Sequence, residues 1–282
     1  MSPLIEPEVL ATLLNDARVV IIDARFNLTE AQLGLTMYRQ GHIPGAQFAD
    51  LEKDLSGPVV PGKTGRHPLP DLDTLAEKIR HWGISEKSHV VVYDDGGHAM
   101  AARAWWLFRW AGLKKIQVLH GGIKAWQAGR YPMTSEQSLA EVSDFQSQVN
   151  PGMTVSADDI MQQLPSKQCC LIDARAIERF SGETEPLDSR AGHIPGAFCH
   201  PFTVNMDDSG EFLPRATLRA RLEKVINNHP EPVFYCGSGV TACHNILAME
   251  YAGLSGARLY PGSWSEWITD PARPIETGIE NE

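Results

Sequence analysis

The sequence predicts an α/β protein built from two tandem domains of the same fold, and two observations carry this prediction. The first is an internal repeat: the blocks VIIDAR and GHIPGA occur again later in the chain as CLIDAR and GHIPGA. The second is the alternation of short apolar runs with segments of helical period. Such alternation is typical of an open, mostly parallel sheet with helices on both faces.

The repeat extends beyond these two blocks and gives the domain organisation. The block VVVYD in the first copy matches PVFYC in the second. Gly121 and Trp126 have the same spacing as Gly262 and Trp267. The offset of about 140 to 150 positions is far longer than a solenoid repeat, so each copy predicts a domain with its own core. The predicted domains are residues 1–133 and 153–282, and residues 134–152, poor in apolar periodicity, are the predicted linker.

Strands and helices follow from the hydrophobic pattern within each copy. Short β-branched runs predict buried parallel strands. These runs are Val19–Ile22, Val90–Tyr93 and Gln117–Leu119 in the first copy, and Cys170–Ile172, Val233–Tyr235 and Arg258–Tyr260 in the second. Segments of helical period lie between them, and they include Asp73–Trp82, Met100–Ala111 and Thr217–Asn227.

Composition and charge exclude several classes of protein. The 282 residues carry a formal net charge of −10 and no basic tract, which makes nucleic-acid binding unfavourable. The densest apolar runs are far shorter than the ~18–20 residues that span a bilayer, so we expect no membrane association. The acidic start resembles no targeting signal, and an odd count of five cysteines favours free thiols. We therefore expect a cytoplasmic protein.

The two copies differ most after the strand that ends in tyrosine. The first copy continues with DDGGH from Asp94, whereas the second continues with CGSGVTACH from Cys236. A cysteine at the end of a parallel strand, before a Gly-rich loop and a helix, lies where open α/β sheets bind ligands. Backbone N–H groups and the helix N-terminus there favour a thiolate over a thiol. We interpret Cys236 as a nucleophile, with a buried structural cysteine as the alternative.

These features together resemble the tandem-domain rhodanese family of sulfurtransferases over residues 5–275. In that family the first domain is catalytically silent, which Asp94 at the cysteine position fits. The second domain carries a cysteine that cycles between thiolate and persulfide. The neutral pair Gly237 and Ser238 is similar to the loop of members that use 3-mercaptopyruvate, whereas members that use thiosulfate carry basic residues there.

The resemblance implies a reaction that needs no cofactor and no metal. The Cys236 thiolate takes sulfur from 3-mercaptopyruvate, a small anionic donor, and a thiol such as thioredoxin, or cyanide, then removes it. Backbone N–H groups of the loop hold the persulfide in between. The loop residues in this role are Gly237, Gly239, Val240, Thr241 and Ala242.

The resemblance also implies roles for side chains. Arg179 aligns with the arginine that binds the donor's carboxylate. Ser238 and His42 match two members of a Ser–His–acid relay for the thiol proton, with a structural role as the alternative for His42. The chain has Leu187 where the mercaptopyruvate-using members have an arginine. The candidates for the missing cation are Arg190, Arg66 and Arg103.

Alternatives remain for the function. Thiosulfate is the alternative donor, and a non-enzymatic persulfide carrier or thiol-redox sensor is the alternative to an enzyme. A cysteine phosphatase is disfavoured because its loop needs an arginine where this chain has Ala242. A zinc site is disfavoured because Cys236 and Cys243 lack a second pair of ligands at the usual spacing.

Overall fold

The computed structural model describes residues 2–166, 169–227 and 229–279. The chain divides into two compact units, and neither is a continuous piece of sequence. The first runs to Gly57, resumes over Pro70–Asn150 and takes in Asp208–Phe212. The second contains Pro58–Leu69 and Pro151–Asp207, and continues from Leu213. The repeat did not anticipate that Pro58–Leu69 would belong to the second unit.

The first unit is built on a parallel sheet. The strands found in its described residues are β1 (Leu4–Ile5), β2 (Val19–Asp23), β3 (Gln47–Phe48), β4 (His89–Tyr93) and β5 (Ile116–Leu119). Their order is β1-β5-β4-β2-β3, and each neighbouring pair is parallel. The helices are α1 (Pro7–Leu13), α2 (Leu33–Gln40), α3 (Leu72–His81), α4 (Ala99–Trp110) and α5 (Gly122–Ala128).

The second unit repeats this plan with shorter strands. Its described strands are β6 (Leu171–Asp173), β7 (Phe198–Cys199), β8 (Val233–Tyr235) and β9 (Arg258–Leu259), in the order β7-β6-β8-β9 with parallel pairing. The helices are α6 (Ala157–Gln163), α7 (Ile177–Ser181), α8 (Arg215–Ile226), α9 (Thr241–Tyr251) and α10 (Ser263–Trp267). The predicted fold class is confirmed.

Burial explains why the central strands read as continuous apolar runs. Each residue of β4 is buried, as is each residue of β8, because helices cover the sheet. Equivalent tryptophans close the two cores: the indole Nε1 of Trp126 donates to the carbonyl oxygen of Pro132, and that of Trp267 to Pro274, both at 2.8 Å. Each unit therefore has its own core, as the repeat predicts.

The repeated Asp-x-Arg sequence has the same architectural role in both units. Asp23 and Arg25 form a buried ion pair at 2.6 Å, and Arg25 also donates to the carbonyl oxygen of Gly41. Arg175 pairs with Asp173 at the same distance and donates to Gly192. Each pair thus ties the end of a central strand to the start of the GHIPGA loop. Among the described residues, no helix is both long enough and apolar enough to cross a membrane.

The segment predicted as a linker packs largely with the first unit. Residues 134–150 belong to that unit, and the side chain of Phe145 within them is buried. The backbone N–H of Ser143 donates to the carbonyl oxygen of Arg80, at the end of α3. The low apolar periodicity of this stretch therefore reflects irregular structure rather than a free connection.

Candidate active site

Cys236 lies directly after β8 and opens the loop that leads into α9. Its side chain is only 2% exposed, and the backbone N–H of Gly239 donates to Sγ at 3.1 Å. The backbone of Cys236 is fixed on both sides, since its N–H donates to Oγ of Ser263 and its carbonyl accepts from Trp264. The sulfur is therefore held at the N-terminal side of a helix by a rigid loop.

Two glycines shape this loop for different physical reasons. Gly239 has a φ of +80°, and a Cβ there would lie 2.4 Å from the carbonyl oxygen of Pro261, so both conformation and space require glycine. Gly237 is constrained by space alone. A Cβ on it would lie 2.8 Å from Nη2 of Arg66 and 3.5 Å from both terminal nitrogens of Arg179.

The corresponding loop of the first unit is occupied by a side chain of the chain itself. Oδ1 of Asp94 accepts hydrogen bonds from the backbone N–H groups of Gly96 at 2.9 Å and His98 at 3.0 Å. Oδ2 accepts from Met100 and Ala101, each at 3.1 Å. A strand–loop–helix of this kind therefore binds a small anion through its main chain, and in the first unit that anion is a carboxylate.

The histidine that meets Ser238 is His67, which the sequence analysis did not single out. Nδ1 of His67 lies 2.8 Å from Oγ of Ser238, and both side chains are buried. His67 belongs to Pro58–Leu69, the early segment that packs with the second unit. The repeat gave no signal for His67, because this segment lies outside the repeated blocks.

His42, predicted to act in the relay, lies in the first unit and contacts backbone oxygens there. Its Nδ1 is 2.7 Å from the carbonyl oxygen of Tyr38, and its Nε2 is 3.1 Å from that of Glu136. The ring also stacks on Tyr38. Its repeat partner His193 makes the same type of contact with Phe180. The structure thus places His67 beside Ser238, whereas the contacts of His42 are those of its structural alternative.

Arg179 and Arg66 belong to a network of ion pairs beside the cysteine loop. Arg179 contacts Glu185, with Nη2 and Oε1 2.7 Å apart, and Asp188, with Nη2 and Oδ2 3.1 Å apart. Arg66 pairs with the other oxygen of Asp188. Arg175 reaches Glu185 from the strand side at 3.2 Å. Two cations that face Gly237 are therefore held by two buried carboxylates.

The two carboxylates respond differently to this setting. Burial opposes ionisation of Glu185, but the hydrogen bonds and charge of Arg179 outweigh it and lower the pKa of Glu185 below its ordinary value. Burial dominates at Asp188 and raises the pKa of that carboxyl despite the adjacent Arg66. Glu185 is therefore the firmer anchor of the network.

The other candidates for a second cation make contacts of a different kind. Arg103 is buried in the first unit, and its Nη2 is 3.4 Å from the carbonyl oxygen of Leu55. The backbone oxygen of Arg190 accepts a hydrogen bond from the indole of Trp264. Leu187, at the position of the missing arginine, has an exposed side chain, and its N–H donates to Glu185.

The remaining cysteines differ from Cys236 in their surroundings. The five cysteines are free thiols. Burial raises the pKa of Cys169 and Cys170 to about 11 and that of Cys199 to about 12, so these three stay protonated at neutral pH. The thiol of Cys243 donates to the carbonyl oxygen of Gly239. Within the described ranges, no group of three or more His, Cys, Asp or Glu side chains is arranged to hold a metal ion.

Comparison with known proteins identifies relatives that match most of this chain. The model of the rhodanese-like domain family matches residues 6–129 and 156–270. A Pseudomonas aeruginosa protein named "Probable 3-mercaptopyruvate sulfurtransferase" is 48% identical over 280 residues, which cover 98% of this chain and 99% of that protein. The Mycobacterium tuberculosis protein named "Putative thiosulfate sulfurtransferase SseB" is 42% identical over 266 residues, covering 92% and 91%.

A solved structure agrees with these relatives. The crystal structure of SseA from Escherichia coli, described as a 3-mercaptopyruvate sulfotransferase, superposes with a TM-score of 0.81 at 32% identity. The match covers 94% of this chain and 100% of that one. The two units are therefore a tandem pair of rhodanese-like domains, and the chain belongs to the rhodanese-like family. Within that family it is a sulfurtransferase.

Proposed function

We propose that this protein moves a sulfane sulfur from 3-mercaptopyruvate, through a persulfide on Cys236, to a thiol acceptor. The observation that carries the proposal is the position of Cys236, at a strand end before an anion-binding loop whose first-unit counterpart binds the Asp94 carboxylate. A persulfide anion has the charge and size that such a loop accepts. Relatives named for this donor support the choice of substrate.

In the first half-reaction the Cys236 thiolate attacks the thiol sulfur of the donor. A sulfur–sulfur bond forms, the carbon–sulfur bond of the donor breaks, and the electron pair leaves on the carbon of the pyruvate enolate. The proton of the donor's thiol must reach that carbon to give pyruvate. Ser238 and His67, 2.8 Å apart, form the relay that we propose for this proton, with His67 in the role expected of His42.

The backbone N–H groups after Cys236 then stabilise the persulfide. We propose that these belong to the loop predicted from the sequence, and the 3.1 Å contact from Gly239 to Sγ supports it. The residues of this loop are Gly237, Gly239, Val240, Thr241 and Ala242. Because these donors are fixed before the reaction, they need no rearrangement as negative charge moves to the outer sulfur.

In the second half-reaction an acceptor takes the outer sulfur and returns Cys236 as a thiolate. A protein thiol such as thioredoxin, or cyanide, has the nucleophilicity that this step requires. The transferred sulfur is oxidised from the thiol to the sulfane level while the carbon of the donor is reduced by the same two electrons, so the proposed reaction needs no redox cofactor. The five free thiols support a reducing compartment, and we propose the cytoplasm.

We propose that Arg179 binds the carboxylate of the donor. Its guanidinium lies beside Gly237, and a hydrogen bond to Glu185 holds it in place. A guanidinium group binds a carboxylate through directed, charge-assisted hydrogen bonds. Thiosulfate is the alternative donor, and the relative named for it supports that second candidate. The neutral Gly237 and Ser238 favour the monoanionic keto acid over a sulfur dianion.

Turnover with the two donors tests the proposal. We expect steady-state sulfur transfer to cyanide to be faster with 3-mercaptopyruvate than with thiosulfate at matched concentrations. Mass spectrometry should find one added sulfur on Cys236 after incubation with the donor alone, and none in Cys236→Ser. A protein that gains sulfur but turns over neither donor would be a persulfide carrier or redox sensor instead. If Arg179→Ala keeps the full rate, Arg179 does not bind the donor.

A further inference from the structure

Two guanidinium groups face the residue after the nucleophile, and they come from distant parts of the chain. Arg179 follows β6 in the second copy, whereas Arg66 lies in Pro58–Leu69. Their side chains are 17% and 33% exposed, so a small solute reaches both. The backbone N–H of Arg66 is fixed in turn by Oγ of Ser265, at 3.1 Å. The segment therefore places Arg66 at this loop by a definite contact.

Each arginine binds carboxylates of the protein and also has a terminal nitrogen beside Gly237. Arg66 binds Asp188 through Nη1, while its other terminal nitrogen, Nη2, faces Gly237. Arg179 binds Glu185 and Asp188 through Nε and Nη2, and both of its terminal nitrogens, Nη1 and Nη2, lie 3.5 Å from the position of a Cβ on Gly237. N–H donors of both side chains thus face the space beside the cysteine loop.

Two guanidinium groups satisfy the hydrogen-bond acceptors of a planar carboxylate more completely than one guanidinium group does. A carboxylate has two oxygens with about four acceptor sites, and guanidinium groups approaching from two sides satisfy them with directed, charge-assisted bonds. We propose that Arg66 is the second cation of the donor site and binds the carboxylate of 3-mercaptopyruvate together with Arg179. The inference rests on the proposed function, because it names a group that recognises the donor of that reaction.

Asp188 has a separate part in this arrangement. Its two carboxylate oxygens each hold one arginine, and its side chain is only 5% exposed. It sets the separation of the two guanidinium groups and lowers the repulsion between them. Asp188 is therefore a positioning residue of the donor site, acting through Arg66 and Arg179.

The test compares two donors that differ only at the carboxylate. Mercaptoacetone keeps the thiol and the ketone of 3-mercaptopyruvate and has a methyl group where the carboxylate was. Loading of Cys236 is followed by mass spectrometry in single-turnover experiments over a range of donor concentrations. We expect Arg66→Met to slow loading by 3-mercaptopyruvate on the order of 10- to 100-fold and to leave loading by mercaptoacetone unchanged. Arg66→Lys should recover part of the lost loading rate, because lysine keeps the positive charge but lacks the planar pair of N–H donors that binds a carboxylate bidentately.

The outcomes separate this inference from the proposed function. An equal loss with both donors in Arg66→Met would overturn the inference, since Arg66 would then support the loop rather than bind the carboxylate. If mercaptoacetone does not load the unmodified protein, inhibition by pyruvate decides instead, and an inhibition constant unchanged in Arg66→Met overturns the inference. If 3-mercaptopyruvate itself does not load the unmodified protein, the proposed function fails, and the inference fails with it.

Asp188→Asn tests the positioning role by the same comparison. This variant keeps the shape of the side chain and removes the charge that holds the two guanidinium groups. We expect a higher KM for 3-mercaptopyruvate with a smaller change in kcat, and no change for mercaptoacetone. Parallel changes with both donors would show a general structural effect and contradict the positioning role.

Discussion

Asp94 occupies in the first unit the position that Cys236 occupies in the second. Each follows the tyrosine that ends a central strand, and each side chain accepts hydrogen bonds from the loop that comes next. The main chain of each loop therefore binds the side chain that precedes it, a carboxylate in the first unit and the Cys236 sulfur in the second. A carboxylate cannot accept a sulfane sulfur, and for this reason the proposed transfer involves Cys236 and not Asp94.

Asp94→Ala should destabilise the protein without changing its chemistry. The change leaves backbone N–H groups of a buried loop without their charged acceptor, which costs about 2–4 kcal/mol of unfolding free energy. We expect urea unfolding to shift accordingly, with sulfur loading of Cys236 retained in the folded protein. A matched control is Asp95→Asn: burial and the charge of Asp94 raise the pKa of Asp95, so its neutralisation should cost nothing. Unchanged stability in Asp94→Ala would contradict the anion-binding role of the first loop.

His67→Gln should affect mainly the rate of sulfur loading, whereas His42→Gln should affect mainly stability. Loss of the proposed relay in His67→Gln should slow persulfide formation from 3-mercaptopyruvate by about 10²- to 10⁴-fold. His42 contacts backbone oxygens in the first unit, so His42→Gln should instead lower the unfolding free energy and leave most of the rate. Single-turnover loading and urea unfolding of both variants check this. The reverse pattern would return the catalytic role to His42.

Gly237→Ala should damage the donor site more than the fold. The added methyl group would lie 2.8 Å from Nη2 of Arg66, a flexible side chain that moves at small cost, so stability should change by less than about 1 kcal/mol. The displaced guanidinium groups should raise KM for 3-mercaptopyruvate several-fold. Gly97→Ala is the matched control, because nothing lies within 4 Å of a Cβ there. Equal kinetics in the two variants would show that the arginines beside Gly237 do not contact the donor.

The same crowding changes how donor preference can be engineered. Basic residues at positions 237 and 238 would follow the loop of thiosulfate-using enzymes. However, an arginine at 237 would meet Arg66 and Arg179, so it adds repulsion as well as charge. We therefore expect Gly237→Arg to lose activity with both donors, and steady-state assays with each donor test this. An increase in activity with thiosulfate would mean that the side chains of Arg66 and Arg179 move to accommodate the new arginine.

The sequence predicted the fold, and it drew attention to Cys236, because both depend on local patterns. Buried parallel strands read as apolar runs, and Cys236 stands out against its own repeat. His67 could not be predicted this way, and Arg66 was only one of three candidates for the second cation. Their partners Ser238 and Asp188 lie 171 and 122 positions further along the chain. The segment Pro58–Leu69, which contains both His67 and Arg66, lies outside the repeated blocks. The recurrence of the block that contains His42 favours its structural alternative, because His42 and its repeat partner His193 contact backbone oxygens in the same way.

Glu185 should make stability depend on pH in a defined direction. Its pKa in the folded protein is lowered from 4.5, because hydrogen bonds and charge from Arg179 outweigh burial. A carboxyl with a depressed folded pKa stabilises the protein at pH values above its unfolded pKa, and this contribution is lost as the pH falls through the folded value. The loss therefore begins near pH 4.5 and continues below it.

Glu185→Gln isolates this contribution. Urea unfolding between pH 7 and pH 3 should show a smaller decrease for the variant than for the unmodified protein, and the two curves should converge at the acidic end. Asp188 acts in the opposite sense, because burial raises its pKa and the folded state takes up that proton first as the pH falls. Asp188→Asn should therefore steepen the acid-induced loss that Glu185→Gln flattens. Two parallel curves for Glu185→Gln and the unmodified protein would mean that Arg179 does not stabilise the ionised Glu185, and Arg179 would then lack the firm anchor that the donor site requires.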